Sequence, residues 1–178
     1  MQSADNIVRD VDQISITSRL IQADGFFPNN HDLPLLIYHR AIAETDVDVV
    51  KEILSENDWM NSWVNGIYNY HHFHSTAHEV LGVLQGSAEV KFGGPNGISV
   101  HIGTGDVIII PAGVSHMCIS SEGAFQVIGA YPKGQKYDVM KGEPDQLETA
   151  RDNISKVPLP TFYPVYGDDG PVVKLWFR

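Results

Sequence analysis

From residue 66 to residue 129 glycine recurs at positions 66, 82, 86, 93, 94, 97, 103, 105, 113, 123 and 129, and the chain between them consists of short runs of β-branched and aromatic residues. Short strands with turn signals at such close spacing indicate an antiparallel sandwich or barrel. Gly93-Gly94-Pro95-Asn96-Gly97 separates the runs Ser87–Phe92 and Ile98–Ile102 and predicts a hairpin turn. In Glu79–Leu84 both alternate faces are apolar, with Leu81 and Val83 on one and Val80 and Leu84 on the other; Val107–Ile110 has the same two-sided character. A strand that is apolar on both faces is covered on both. One face must meet the interior, and the other needs a second layer, from the preceding chain or from a partner subunit. A homodimer is the expected assembly.

The flanks complete one domain over residues 1–178. Residues 1–65 read as an approach segment. Val11–Ile21 alternates loosely and fits an edge strand, Phe26–Asn30 a turn, and Leu33–Ala43 a second strand. Thr45, followed by acidic Asp46 and Asp48, looks like a helix start, with Val47, Val50 and Leu54 on one face and Trp59 and Trp63 continuing it. Residues 133–178 form a tail. Pro144 can open a helix with Leu147, Ala150 and Ile154 on one stripe. Beyond Val157 come prolines and glycines up to Gly170 and Pro171, with Phe162, Tyr163, Tyr166, Trp176 and Phe177 among them. This reads as an aromatic strap packed on the domain.

Charge narrows the partners. Twenty-two acidic residues against 12 basic ones give a net charge of −10, which repels phosphate backbones and makes nucleic acid an unsuitable partner. No stretch approaches the length of a membrane span. Met1–Asp12 lacks the basic-then-apolar pattern of a signal peptide, and the single cysteine, Cys118, excludes an internal disulfide, so the cytoplasm is the expected compartment.

Four of the eight histidines fall between His71 and His78. On a strand, residues two apart share a face, so His72 and His74 project together. Imidazole pairs joined by a carboxylate suit Fe, Mn, Ni, Cu or Zn. Glu79 opens the next strand on the face of Leu81 and Val83. A second block supplies a further histidine: Pro111 ends a strand, Gly113 permits a sharp turn, and His116 follows.

These residues carry a resemblance. Gly66, His72, His74, Glu79 and Gly86 match the first cupin motif, Gly-x5-His-x-His-x4-Glu-x6-Gly, at every defined position. Gly105, Pro111, Gly113 and His116 match the second, Gly-x5-Pro-x-Gly-x2-His-x3-Asn, with Ser120 at the final Asn. The 18 residues between the motifs fit the short spacer of microbial cupins. Tyr70–His74 running into His78–Val83, the segment Tyr131-Pro132…Gly134-Gln135, and Val157–Pro160 with Pro164–Gly167 also resemble the YjlB-like small bacterial cupins. The resemblance implies a mainly β fold, a cupin jelly-roll or double-stranded β-helix barrel with short helices before and after it, with residues 66–132 as its core. It implies one divalent transition metal ion per chain (Ni, Fe, Mn or Zn) on His72, His74, Glu79 and His116.

His78, beside Glu79, should turn away from the metal unless a bulge brings it in, and it is the first candidate base. His71 should face outward, and His31, His39 and His101 are scattered. Cys118 reads as a small buried hydrophobe. Tyr131, Lys133, Gln135 and Lys136 fit a barrel mouth or an exposed loop equally and receive no role. Three neutral imidazoles and one carboxylate leave a divalent ion with one net positive charge and positions for other ligands, which suits an anionic or chelating small molecule. The expected function is a dioxygenase-like enzyme on a small organic acid or enol. The alternatives are a metal-dependent isomerase or lyase, or a non-catalytic binding protein.

Overall fold

A computed structural model of the chain describes residues 7–168 together with 175 and 176. Seven strands pair antiparallel: β1 (Ser15–Ile21), β2 (Asn30–His39), β3 (Trp59–Asn65), β4 (Glu79–Phe92), β5 (Ile98–Gly103), β6 (Val107–Ile110) and β7 (His116–Pro132). Helix α1 (Val47–Glu56) precedes β3, and α2 (Leu147–Lys156) follows the barrel. The strands run β1-β2-β6-β4-β7-β3, and β5 pairs with the far half of β4. β4 and β7 are long and bent. Near Glu79, β4 is bonded by β6 and β7; from Ser87 to Phe92 it is bonded by β5 and the opening of β7. At the bend the register shifts on either side of Gln85, and Gly86 adopts φ +72. A Cβ there would lie 2.4 Å from the Glu122 carbonyl, so only glycine lets the two strands close at this corner.

The two-sided strands are covered on both sides, as their composition requires. Inside the barrel, Leu35, Ile37, Leu81, Val83, Ile108 and Val127 pack with Val90, Phe92 and Ile102. On the outer face, Leu36, Tyr38, Val80, Ile109 and Ile128 meet Val50 and Leu54 of α1, Trp59, and Tyr163, Val165 and Trp176 of the tail. This chain's own helix and strap therefore supply the second layer, the place the sequence left open to a partner subunit. Gly170, Pro171 and Phe177 of the strap lie outside the described residues.

Some boundaries differ from the sequence reading. The β2 strand starts at Asn30 and ends at His39, and Val11–Gln13 is a turn of 3-10 helix before β1. The α1 cap is Asp46 rather than Thr45. The Asp46 carboxylate accepts from the Asp48 and Val49 amides at 3.0 and 3.3 Å, and its charge suits the helix N-terminus. Val50 and Leu54 are buried, whereas Val47 is partly exposed. Trp59 and Trp63 do not continue the helix. The chain leaves α1 at Asn57, passes Asp58 at φ +60 and enters β3. A register shift between Met60 and Trp63, with Asn61 at φ +56, then sends the two tryptophans to opposite faces: Trp59 into the outer cluster, Trp63 towards the interior. In α2 only Ala150 is buried, while Leu147 and Ile154 are half-buried.

Among the described residues, no helix is long and apolar enough to cross a membrane. Leu54 is 2% exposed at the centre of the outer layer. Replacing it with alanine should cost about 2–5 kcal/mol, read as a lower urea midpoint with an unchanged slope. A loss below about 1 kcal/mol would mean that α1 is not a structural layer of the barrel.

Candidate metal centre

The first motif does not lie on a regular strand. Its segment is extended and held by isolated bridges, His72 with His116 and Phe73 with Met140. Alternation survives because each backbone neighbour is bonded: the His116 amide donates to the His72 carbonyl at 2.9 Å, and the Phe73 and Met140 backbones exchange two bonds of 2.9 Å. His72 and His74 therefore face the same space, while Phe73 is buried beside Phe27. The second motif turns as its residues require. Gly113 adopts φ +94, where a Cβ would lie 2.4 Å from the Asn29 carbonyl, and its amide donates to the His74 carbonyl at 2.8 Å. His116 then opens β7 facing inward.

His72, His74 and His116 are all buried, and one ligand nitrogen from each lies within 4.8 Å of the others. Each Nδ1 sits against a backbone carbonyl: Tyr70 at 3.1 Å for His72, Asp138 at 2.5 Å for His74 and Val114 at 3.1 Å for His116. A carbonyl only accepts, so each Nδ1 carries the proton and each Nε2 keeps its lone pair for the centre. Glu79, 2% exposed, places Oε1 3.2 Å from His116 Nε2 and Oε2 3.2 Å from His74 Nε2. Neither carboxylate oxygen has an aligned hydrogen bond. Electron-pair donors thus converge in a buried space with their outward positions already bonded, and a divalent cation is what such a donor set fits.

With no ion bound, Glu79 pairs with two of the imidazoles. Burial opposes the Glu79 charge, but the His74 and His116 imidazoles outweigh it and hold the carboxyl well below its ordinary range. Burial, reinforced by His116, pushes His72 down to about 3 and keeps it neutral. Burial also works against a charge on His74, but there the Glu79 carboxylate wins and raises its pKa.

The cluster forms the floor of a cavity of about 210 Å³ whose walls include Trp63, Tyr68, Leu81, Tyr131, Tyr137 and Val139. Trp63 Nε1 donates to the Tyr131 hydroxyl at 2.8 Å. Burial and the neighbouring Glu79 carboxylate push the Tyr131 pKa above its ordinary value, so the hydroxyl keeps its proton. Asp138, between the wall residues Tyr137 and Val139, turns the other way: its carboxylate accepts from the Ser75 amide at 2.6 Å and from the Ser75 hydroxyl. That clamp fixes the backbone carbonyl that orients His74.

His78 lies elsewhere, as alternation required. Its ring packs on Trp176 at 4.9 Å, Nδ1 accepts the Ala112 amide at 2.8 Å, and the side chain does not line the cavity. Burial lowers its pKa to about 4, so the ring is neutral. Gln135, also buried, accepts from the His78 amide, and Lys133 and Lys136 are exposed. His71 is half-buried, edge-on to Phe27. Cys118 is half-buried, and burial raises its pKa, which suits an inert thiol. Of the mouth residues, Tyr131 reaches the site. The sequence reading missed Trp63, Tyr68, Tyr137 and Asp138. One signal was available: Gly129, whose Cβ would lie 2.3 Å from the Trp63 indole, leaves room for that ring beside the cavity.

An antiparallel barrel whose two motif segments bring three histidines together at the floor of a small cavity defines a cupin. The family model described as Cupin matches residues 64–140. The chain is 39% identical over 155 residues to the uncharacterised protein YjlB of Bacillus subtilis (strain 168), covering 87% of this chain and 93% of that one. The chain therefore belongs to the cupin family and, within it, to the group that YjlB represents. Solved structures with local likeness include acireductone dioxygenase from Bacillus anthracis with a cadmium ion in its active centre (14% identity, 51% of this chain, 60% of that chain, TM-score 0.37). Others are the DMSP lyase DddQ from Ruegeria pomeroyi DSS-3 (17%, 79%, 58%, 0.35) and a double-stranded β-helix protein from Klebsiella pneumoniae (17%, 78%, 95%, 0.34). The chain spans less than two thirds of the first two. Membership rests on the Bacillus subtilis relative and the motif-bearing segment, not on these structures.

Proposed function

We propose that this cupin is a metal-dependent enzyme, dioxygenase-like in its chemistry, acting on a small organic acid or enol, with one divalent transition ion on His72, His74, Glu79 and His116. The observation that carries the reading is the donor set itself: three buried imidazoles with ligand nitrogens within 4.8 Å of one another, and the Glu79 carboxylate 3.2 Å from two of them, beneath a cavity. A divalent ion there supplies a Lewis acid for a pair of substrate oxygens and, if redox-active, an electron route to dioxygen. The protein's own part is positioning. The carbonyl-bonded imidazoles hold one tautomer, Glu79 leaves the loaded centre with a single positive charge, and the aromatic walls limit water. Tyr131, fixed by Trp63, presents a protonated hydroxyl beside Glu79. In the isomerase or lyase alternative, that hydroxyl would donate a hydrogen bond to a developing substrate oxyanion, while His78 lies outside the cavity.

The test is elemental analysis of protein purified without nickel resin, followed by oxygen-electrode assays on a panel of enols and small acids. About one transition metal per chain and substrate-dependent O₂ uptake are expected. Turnover without O₂ would favour the isomerase or lyase. Metal near zero after growth with several metals supplied would sink the proposal.

A further inference from the structure

The walls of the cavity narrow the substrate class, an inference that rests on the metal reading above. Among the described residues, no lysine or arginine lines the cavity. The nearby cation Lys141 lies 4.9 Å over the Tyr70 ring, and neither residue lines the cavity. The one acidic group, Glu79, is taken up by the histidines. A loaded centre of charge +1 balances one negative charge on a ligand. A second, on a phosphate or another carboxylate, would enter a small, half-apolar space with no cation to meet it, and uncompensated burial of charge is costly.

The same walls offer flat apolar surface. Tyr137 stacks on Tyr131 with ring centres 4.6 Å apart and planes at 16°, and Tyr137 stands edge-on to His74 at 5.2 Å. On the neighbouring imidazole, Tyr68 stands edge-on to His72 at 5.0 Å. Tyr68, which also stacks on Tyr70, and Tyr137 are 53% and 50% exposed, so part of each ring is open to solvent. The volume, about 210 Å³, suits one small ligand such as a ring with a chelating head.

We infer that the site selects a monoanionic ligand with one chelating oxygen pair and a flat, apolar tail, and rejects phosphorylated or dicarboxylic ligands of similar size. Lactate, malate and mandelate test this, because they share one α-hydroxy acid head and differ only in a methyl, carboxylate or phenyl tail. A free divalent ion prefers malate, which brings an extra charge and donor. The full-length protein loaded with Co(II) should reverse that order, as read by calorimetry and by the cobalt absorption bands. Mandelate should bind at least about tenfold more tightly than lactate, and more tightly than malate. Val139, a partly exposed wall residue, allows the converse test: Val139→Lys should raise malate affinity about tenfold and leave lactate near its original value. Wild-type protein that prefers malate, cobalt bands that respond to none of the three acids, or malate affinity unmoved in Val139→Lys would each overturn the inference while leaving the metal site standing. A protein that takes up no cobalt would overturn the metal reading beneath it.

Discussion

Replacing His74 with alanine is expected to drop the metal content from about one ion per chain to below about a tenth after desalting, with His78→Asn staying near one. The two residues are close in sequence and both buried, but their nitrogens are used differently. His74 gives Nδ1–H to the Asp138 carbonyl at 2.5 Å, and its Nε2 lies 3.2 Å from Glu79. Removing it takes one donor from the centre and leaves the carboxylate without that neighbour. His78 spends Nδ1 on the Ala112 amide, and an asparagine oxygen can accept the same bond. Plasma mass spectrometry on both variants gives the answer. Equal loss of metal from both would place His78 among the ligands and refute the assignment of the segment before Glu79.

Stripping the metal should lower the melting temperature by on the order of 10 °C. Without a cation, the buried cluster is joined only by the contacts of Glu79 with His74 and His116, and His72 has no such partner in it. A bound ion ties the segment at residues 72–74 to the openings of β4 and β7. At free metal near a thousand times Kd, binding to the folded state alone adds about 4 kcal/mol, and a chain of this size shifts by about 2–4 °C per kcal/mol. Thermal scans before and after chelation, with metal added back, measure the effect, and His74→Ala should melt at a temperature indifferent to chelator. A native protein with a scan unmoved by stripping and reloading would show that no ion contributes to the fold.

The parts of the site that were legible in the sequence are those fixed by local geometry. His72 and His74 share a face because an extended chain alternates, and this held although their segment forms only isolated bridges. Glu79 falls on the interior face with Leu81, and His78 falls off it, by the same alternation. The turn at Gly113 needed a glycine, and the hairpin at Gly93–Gly97 needed a run of them. The two-sided apolar strands announced that both faces would be covered.

What would cover them was not legible. Whether α1 and the tail or a second subunit forms the outer layer depends on packing between residues more than a hundred positions apart, such as Pro34 with Trp176, where the indole N–H reaches the carbonyl at 3.0 Å. The walls of the cavity were hidden for a related reason. Trp63 faces inward because of a register shift in β3. Tyr137 and Asp138 take their places because the chain after β7 folds back along Phe73–Thr76. Alternation and turn chemistry act over a few residues and can be read from them. Register shifts and returning segments are decided by the fit of the whole barrel. The sequence by itself therefore determined which side chains could meet a metal, and only the tertiary structure decided what surrounds it.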